Sequence, residues 1–236
     1  MNKLPFVWEL KYKDIASHAI GTCHWIQDIF REDIKKYLQG KSCAMNEYWD
    51  ESDHRFFKEF REGDMAERIM AEKIKANPAK KAFYEARYEA KIKNFKEYAG
   101  GIDFVVEETA LAMNIPIIGL EIKEERDRLN ALYDKVEKNF YKATKRKWEG
   151  TGESYWCSDE KTIKKLSEKI DEDCKKHLTA EEFALHKQRN PDMAARSLQY
   201  IMRAPSIIAV GIQHFFAEPS MLTLYQQNGI EINRVE

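Results

Sequence analysis

The sequence predicts an α/β protein with a central mixed β-sheet flanked by helices. Apolar runs of strand length stand at both ends of the chain, for example Phe6–Tyr12 and Ser206–Val210. Between them lie charged segments whose apolar residues recur at three- and four-residue steps, the pattern of amphipathic helices. Strand–helix–strand order at both ends favours one α/β domain over separate helical and β units. We therefore predict a single domain over residues 1–236, with long helices in its second half.

The first 50 residues are predicted to fold as a β-hairpin, a short helix and a third strand. The hairpin is predicted because an alternating run and a second apolar run are separated by only two residues. The predicted elements are strands Phe6–Tyr12 and Ile15–Ile20 joined at Lys13–Asp14, helix Arg31–Leu38, and strand Ser42–Tyr48. Gly40 is expected to end the helix. Glu47 falls at the end of the third strand.

A helical insertion is predicted over about residues 52–113, and its most regular part ends near residue 100. An amphipathic stripe in it consists of Tyr84, Tyr88, Ile92, Phe95 and Ala99. This stripe fits plain core packing, or a surface for a partner. Gly100 and Gly101 break the pattern, and Asp103 is expected to cap a shorter helix that runs through Met113.

The second half is predicted to alternate strands with long helices. The run Ile115–Glu121 is predicted to be a buried strand that ends in an acid. Two long helices follow, one around Leu129–Ala143 and one around Ile163–Cys174. The last predicted elements are a helix from Ala180 to Arg189, a new helix from Asn190 to Arg203, strand Ser206–Val210, helix Pro219–Gln227 and strand Ile230–Val235. Asn190-Pro191-Asp192 predicts the new helix start because a cap, a first-turn proline and an early acid stand in order.

The composition excludes several classes of function. The 39 basic and 40 acidic residues are interleaved and give a net charge of −1, so no basic field exists to bind nucleic acid. The N-terminus holds no apolar core of signal-peptide length, and no run approaches the ~18 apolar residues of a spanning helix. The 4 cysteines lack a paired short spacing, which is typical of reduced thiols. We therefore expect a cytoplasmic protein without a membrane segment; the oligomeric state is not predicted.

Two Gly-x-x-His motifs stand directly after predicted strands. They are Gly21-Thr22-Cys23-His24 and Gly211-Ile212-Gln213-His214. Strand ends in an open α/β sheet are where ligands collect. We therefore expect the two strands to deliver both histidines to one site. Glu47 and Glu121 also end strands, so their carboxylates can reach the same edge of the sheet.

Two imidazoles with one or two carboxylates suit a divalent cation such as zinc, manganese or cobalt. An open coordination position would bind water and make hydroxide available near neutral pH. Each residue also has a purely structural interpretation. The histidines fit turn or packing positions, Glu47 an exposed strand end, Glu121 the first turn of a helix, Arg189 a surface charge and Asn190 an N-cap.

The order of the motifs resembles the TraB/GumN/Tiki family of hydrolases and metalloproteases. That family shows a Gly-x-x-His, a strand-end Glu, an Ala-x5-Pro segment running to Gly-Leu-Glu, an Arg-Asn pair and a second Gly-x-x-His. Here these are Gly21–His24, Glu47, Ala110 with Ile115–Glu121, Arg189-Asn190 and Gly211–His214. The resemblance extends from about Leu4 to Val235 and covers nearly the whole chain.

The resemblance implies a fold related to the erythromycin-esterase and haem-uptake ChaN proteins. It also implies a metal-dependent peptidase, with a peptide or small-molecule substrate. The catalytic residues it implies are His24, Glu47, Glu121, Arg189, Asn190 and His214, and the implied metal ligands are His24, Glu47 and His214. Arg189 would stabilise a developing oxyanion, while Asn190 would orient a neighbour or cap the helix.

The sequence also departs from the family pattern. The family continues the second motif as His-Leu-x-Gly, whereas this chain has Phe215-Phe216-Ala217 after His214, and we expect the two aromatic rings to narrow the pocket or make it more apolar. Three other functions stay open. The first is a metal-free, esterase-like hydrolase in which histidine and carboxylate activate water directly. The second uses Cys23 as a nucleophile, and the third is a non-catalytic protein that binds a peptide, haem or a metal ion.

Overall fold

The computed structural model describes residues 6–22, 30–51, 54, 71–72, 74–81, 101–144 and 159–235. Its strands are β1 (Val7–Tyr12), β2 (Ile15–Thr22), β3 (Cys43–Asn46), β4 (Ile117–Gly119), β5 (Ser206–Gly211) and β6 (Glu231–Arg234). Its α-helices are α1 (Arg31–Leu38), α2 (Ile102–Ala112), α3 (Lys123–Thr144), α4 (Glu160–His177), α5 (Ala180–Ile201) and α6 (Met221–Gln227). Short 3₁₀ helices cover Pro78–Lys80 and Ile212–Phe215.

The described strands form a six-stranded mixed sheet in the order β4-β3-β5-β2-β1-β6. Strands β4, β3, β5 and β2 run parallel, and β1 pairs antiparallel with β2 and β6. The prediction of a mixed sheet is therefore confirmed. Because four neighbouring strands run the same way, their carboxyl ends lie along one edge, where α/β proteins place their sites.

The N-terminal elements follow the prediction closely. The hairpin turns at Lys13–Asp14, where Lys13 adopts a positive φ of 54°. Helix α1 has the predicted bounds, and Gly40 follows it in the left-handed region at a φ of 72°. Glycine suits this place because it adopts the left-handed conformation without a steric penalty.

Strand β5 lies at the centre of the core. Its residues Ser206 to Val210 are all fully buried, as expected for a parallel strand covered on both faces. Strand β4 is different, because its three residues are only half-buried. Among the described strands β4 pairs with β3 alone, so it forms an edge. The prediction of a buried strand at this place is wrong because an apolar run reports hydrophobicity and not position in the sheet.

The prediction of two consecutive helices between Ala180 and Arg203 is also wrong. One helix, α5, runs from Ala180 to Ile201 with Pro191 in its interior. It begins at a capping box in which Thr179 and Glu182 satisfy each other's backbone N–H groups. Pro191 removes one helical donor, at a cost of about 3 kcal/mol, and packing against the sheet outweighs that cost. Asn190 is consequently released from a capping role.

Helix α2 begins differently from the prediction as well. Gly101 is its N-cap, and Asp103 lies inside the first turn without a capping bond. The Asp103 carboxylate instead accepts a hydrogen bond of 2.5 Å from the hydroxyl of Thr22. A long-range partner at the end of β2 has therefore replaced the local one.

The remaining predictions concern the long helices and the insertion. Helices α3 and α4 lie where the apolar spacing placed them, while α6 begins at Met221 with Ser220 as its cap. The stripe from Tyr84 to Ala99 lies outside the described residues. Among the helices that are described, none combines the length and the apolar character needed to cross a bilayer.

Replacing His18 with Phe should make the fold less sensitive to acid. Burial, helped by Lys41 and opposed by Glu9, lowers the pKa of His18 from the usual 6.5 to about 4. The folded state thus resists protonation, so stability is complete above pH 6.5 and declines as the pH falls towards 4. Urea unfolding at pH 7 and pH 4.5 should show a smaller loss of stability in His18→Phe than in the wild type. An equal loss in both proteins would contradict this assignment.

Candidate functional site at the carboxyl edge of the sheet

The site is organised around the Arg189 guanidinium, which α5 projects to the carboxyl edge of the sheet. Its Nη2 donates to Glu47 Oε2 at 2.8 Å and to Glu121 Oε2 at 3.2 Å, and its Nε donates to Glu121 Oε1. The side chains of Arg189, Glu47 and Glu121 are 18%, 18% and 4% exposed. Burial disfavours the charge, but the neighbouring carboxylates outweigh it and the pKa of Arg189 is raised. The Arg189 guanidinium therefore holds the carboxylates of Glu47 and Glu121 next to each other.

Glu47 links this ion pair to the second Gly-x-x-His motif. Its Oε1 accepts a hydrogen bond of 2.5 Å from the backbone N–H of Gly211 and lies 3.2 Å from His214 Nε2. A Cβ atom at Gly211 would stand 2.8 Å from that same oxygen. The glycine is therefore required because the carboxylate occupies the space of a side chain.

Asn190 fixes the orientation of the His214 ring. Its Nδ2 donates to the carbonyls of Ala217 at 3.1 Å and Pro219 at 2.9 Å, which leaves Oδ1 facing His214 Nδ1 at 2.6 Å. Because an amide oxygen can only accept, the proton of the neutral ring belongs on Nδ1. The lone pair of Nε2 then faces Glu47 Oε1. Two electron-rich atoms 3.2 Å apart need a cation between them, either a proton or a metal ion.

The glycines of the two motifs also pack against each other's strands. Strands β2 and β5 are neighbours, with Thr22 aligned to Gly211. A side chain at Gly21 would collide with the Cδ1 atom of Ile212, inside the second motif. Glycine at position 21 therefore leaves the space that the Ile212 side chain of the second motif occupies. This packing sets Gly21 and Thr22, the described part of the first motif, beside the second motif.

The aromatic residues after His214 pack against the hydrophobic core near strand β1. Phe215 is 2% exposed and packs on Trp8, with ring centroids 4.9 Å apart. Phe216 meets Phe6 edge to face at 6.0 Å. The expectation that they narrow a pocket stays a prediction. These contacts anchor the turn that carries His214 to strand β1.

The structure therefore brings five predicted site residues into one hydrogen-bonded network. They are Glu47, Glu121, Arg189, Asn190 and His214. The alternative interpretations of Glu47 as an exposed strand end, of Arg189 as a surface charge and of Asn190 as a helix cap do not hold, since each of these side chains is at least half-buried and paired within the network. His24 and Cys23 lie outside the described residues, so their predicted roles stay predictions.

A second polar cluster, which the sequence did not reveal, lies beside Asn46 on the opposite face of β3. Asn46 Nδ2 donates to Glu107 Oε1 at 2.7 Å, and Glu107 Oε2 lies 2.8 Å from His54 Nδ1. Burial raises the pKa of Glu107, although both hydrogen bonds oppose the rise. The sequence signal for this cluster is alternation, because Asn46 ends the strand and Glu47 directly follows it, so the two side chains point to opposite faces.

The donor set decides whether a divalent metal would fit. Ligand distances of about 2.0–2.2 Å for nitrogen and oxygen place neighbouring ligands roughly 3–3.5 Å apart. The 3.2 Å between His214 Nε2 and Glu47 Oε1 meets this requirement. Within the described residues no group of three or more His, Cys, Asp or Glu side chains is arranged to hold a metal. The described chain thus offers two adjacent ligands, and the sequence-predicted third, His24, lies outside it.

Fold and site together define an α/β protein with a buried acid–base network at the carboxyl edge of a mixed sheet. The family model of the TraB/PrgY/gumN family matches residues 54–234. The chain belongs to this family, and the resemblance predicted from the motifs is confirmed. The matched region contains Glu121, Arg189, Asn190 and His214, while Glu47 and the first motif precede it. Comparison with curated proteins and with solved structures gave no match.

Replacing Gly211 with Ala should disrupt the site without straining the backbone. The φ of Gly211 is −50°, which any residue adopts, so the effect is purely the displacement of the Glu47 carboxylate. We expect a loss of about 1–3 kcal/mol, the usual cost of overpacking. Urea unfolding measures this loss, and the same Gly211→Ala change should cost much less in a Glu47→Ala background, where no carboxylate has to move. An equal loss on Gly211→Ala in the wild-type and Glu47→Ala backgrounds would contradict the steric explanation.

Replacing Arg189 with Met should destabilise the protein by about 3–5 kcal/mol at neutral pH, because two carboxylates lose their buried partner. The carboxylates can then be neutralised only by binding protons. The folded variant therefore gains protons relative to the unfolded chain, and its deficit should shrink as the pH falls from 7.5 to 5. Unfolding free energies of both proteins across this interval measure the effect. A deficit that stays constant with pH would exclude unpaired carboxylates as its cause.

Proposed function

We propose that this chain is a metal-dependent hydrolase of the TraB family, with peptides as the substrate class. The observation that supports it is the pair formed by His214 Nε2 and Glu47 Oε1, which face each other at 3.2 Å with the ring proton directed elsewhere. A divalent cation placed there would satisfy both atoms. The peptide class is supported by the family's resemblance to the Tiki metalloproteases.

In the proposed site His214, Glu47 and His24 would hold the metal, in keeping with the preference of zinc, manganese and cobalt for imidazole and carboxylate. When bound, the metal would lower the pKa of a coordinated water and polarise the scissile carbonyl. The charge balance is compatible with this cation. Glu47 and Glu121 with Arg189 carry one net negative charge, which favours binding of a positive ion.

The residues of the chain do the remaining work. Asn190 keeps His214 in one tautomer, so that Nε2 always presents its lone pair to the site. Arg189 holds the Glu47 carboxylate in position through the hydrogen bond from its Nη2. Glu47 would then hold the metal through Oε1, and its Oε2 would accept a proton from the attacking water and return it to the leaving amine. Glu121 is too buried to meet a substrate, and its part is to balance and orient Arg189.

A metal-free hydrolase is the second candidate, and the same geometry favours it. A proton in place of the metal would make the Glu47–His214 contact an ordinary charge-assisted hydrogen bond, for which 3.2 Å is also suitable. The pair would then activate water directly as a carboxylate–imidazole dyad.

Peptide hydrolysis with and without a chelator tests the proposal. The full chain is dialysed against a chelator, divided, and incubated with a peptide library after adding zinc, manganese, cobalt or nothing, and products are identified by mass spectrometry. We expect cleavage only after metal is restored. Full cleavage by the metal-free protein would favour the dyad, and intact peptide under every condition would contradict hydrolysis and indicate a binding protein.

Active-site variants locate the reaction. Glu47→Gln and His214→Ala should each lower the rate by at least about 100-fold, the usual contribution of a general base or a metal ligand's support. Matched controls are Glu125→Gln, whose carboxylate pairs with Arg196 outside the network, and His177→Ala near the end of α4. Rates at the wild-type level in both site variants would overturn the assignment of the site.

A further inference from the structure

A chain of hydrogen-bonded side chains extends from the Arg189 centre to the outer helices. The Tyr133 hydroxyl on α3 lies 3.0 Å from His186 Nδ1 on α5, and His186 Nε2 lies 2.8 Å from Asp171 Oδ1 on α4. Lys187 donates to the other oxygen of Asp171 at 2.6 Å. Neither the motif set nor the family resemblance assigns a role to these residues.

The chain has a defined direction. Burial alone would raise the pKa of Asp171, but hydrogen bonds from His186 and Lys187 lower it, so this carboxylate is ionised and can only accept. A neutral His186 ring must therefore carry its proton on Nε2, and its Nδ1 accepts from Tyr133. The O–H of Tyr133 thus points towards His186. Its oxygen lone pairs are left to face the other neighbour, Arg189.

The geometry of α5 places Tyr133 beside that neighbour. His186 and Arg189 are three residues apart on one helix, so their side chains lie on the same face. A hydroxyl bound to His186 consequently lies next to the guanidinium. Burial raises the pKa of the Tyr133 phenol, and the adjacent Arg189 opposes the rise.

We propose that Tyr133 is a positioning residue of the site, which the Asp171–His186 pair holds as a hydrogen-bond acceptor against the guanidinium of Arg189. The two carboxylates bind one edge of the planar guanidinium, at Nε and Nη2. A third contact from another helix prevents the plane from tilting. Arg189 sets the position of the Glu47 carboxylate. The orientation of that carboxylate therefore depends on Tyr133 as well.

The catalytic part of this inference rests on the proposed function, and the structural part does not. Displacement of a catalytic group by about 1 Å can reduce the rate about 100-fold. Tyr133→Phe removes only the hydroxyl, so we expect kcat to fall by about 10- to 100-fold with little change in KM.

The structural part is tested by NMR on the full chain, without any substrate. The Nε–H resonance of Arg189 is identified by its loss in Arg189→Lys, and its exchange with water is measured in wild type, Tyr133→Phe and His186→Gln. Exchange should be about 10-fold faster in both variants, the ratio expected when one hydrogen bond of ordinary strength is lost. The double variant should be no faster than Tyr133→Phe alone, since His186 acts through Tyr133.

Tyr225→Phe is the matched control. Its buried hydroxyl is 2.7 Å from Ser197 Oγ, also on α5, so this variant loses a comparable hydrogen bond on the same helix. Its Arg189 resonance should match the wild type. Unchanged Arg189 exchange in Tyr133→Phe, or an equal change in Tyr225→Phe, would overturn the proposal. A failure to find hydrolysis would contradict the proposed function alone, because the resonance reports on Arg189 in either case.

Discussion

The ion pair of Arg189 with Glu47 and Glu121 is the interaction on which the rest of the site depends. It joins the end of β3, the end of β4 and the middle of α5, three elements that are distant in sequence. Breaking a buried charge network is expensive because the remaining charges keep their desolvation cost. The network is therefore weak evidence for stability but strong evidence for position: Glu47 can lie only where Arg189 and the Gly211 N–H both reach it.

Around that centre the chain uses backbone groups to orient side chains. Asn190 binds the carbonyls of Ala217 and Pro219, and only then is its oxygen directed at His214. An amide that is bound on its NH₂ side has one remaining function, which is to accept. The tautomer of the imidazole is thus decided by the path of the loop after β5, and a loop that shifted would release the ring. The orientation of the His214 ring thus depends on backbone carbonyls as well as on neighbouring charges.

Much of this arrangement was predictable from sequence, and the failures have physical causes. Strand ends that carry Glu47, Glu121 and His214 could be placed at one edge because parallel strands share their direction. The role of Asn190 was misjudged because Asn-Pro-Asp is locally an excellent helix start, and packing of α5 overrides that preference. Asp103 was misjudged for a similar reason, since its partner Thr22 is 81 residues away. Tyr133, His186 and Asp171 gave no signal, because no local pattern reports contacts between three separate helices.

The contact between Gly21 and Ile212 also has a consequence for how related chains can vary. The space that a methyl group at position 21 would need is already filled by the Ile212 side chain. The combined volume of the side chains at positions 21 and 212 is therefore limited. A relative with Ala at the first position is expected to carry Val, Ala or another shorter residue at the second. The residue types at positions 21 and 212 are therefore expected to vary together, although no hydrogen bond joins the two residues.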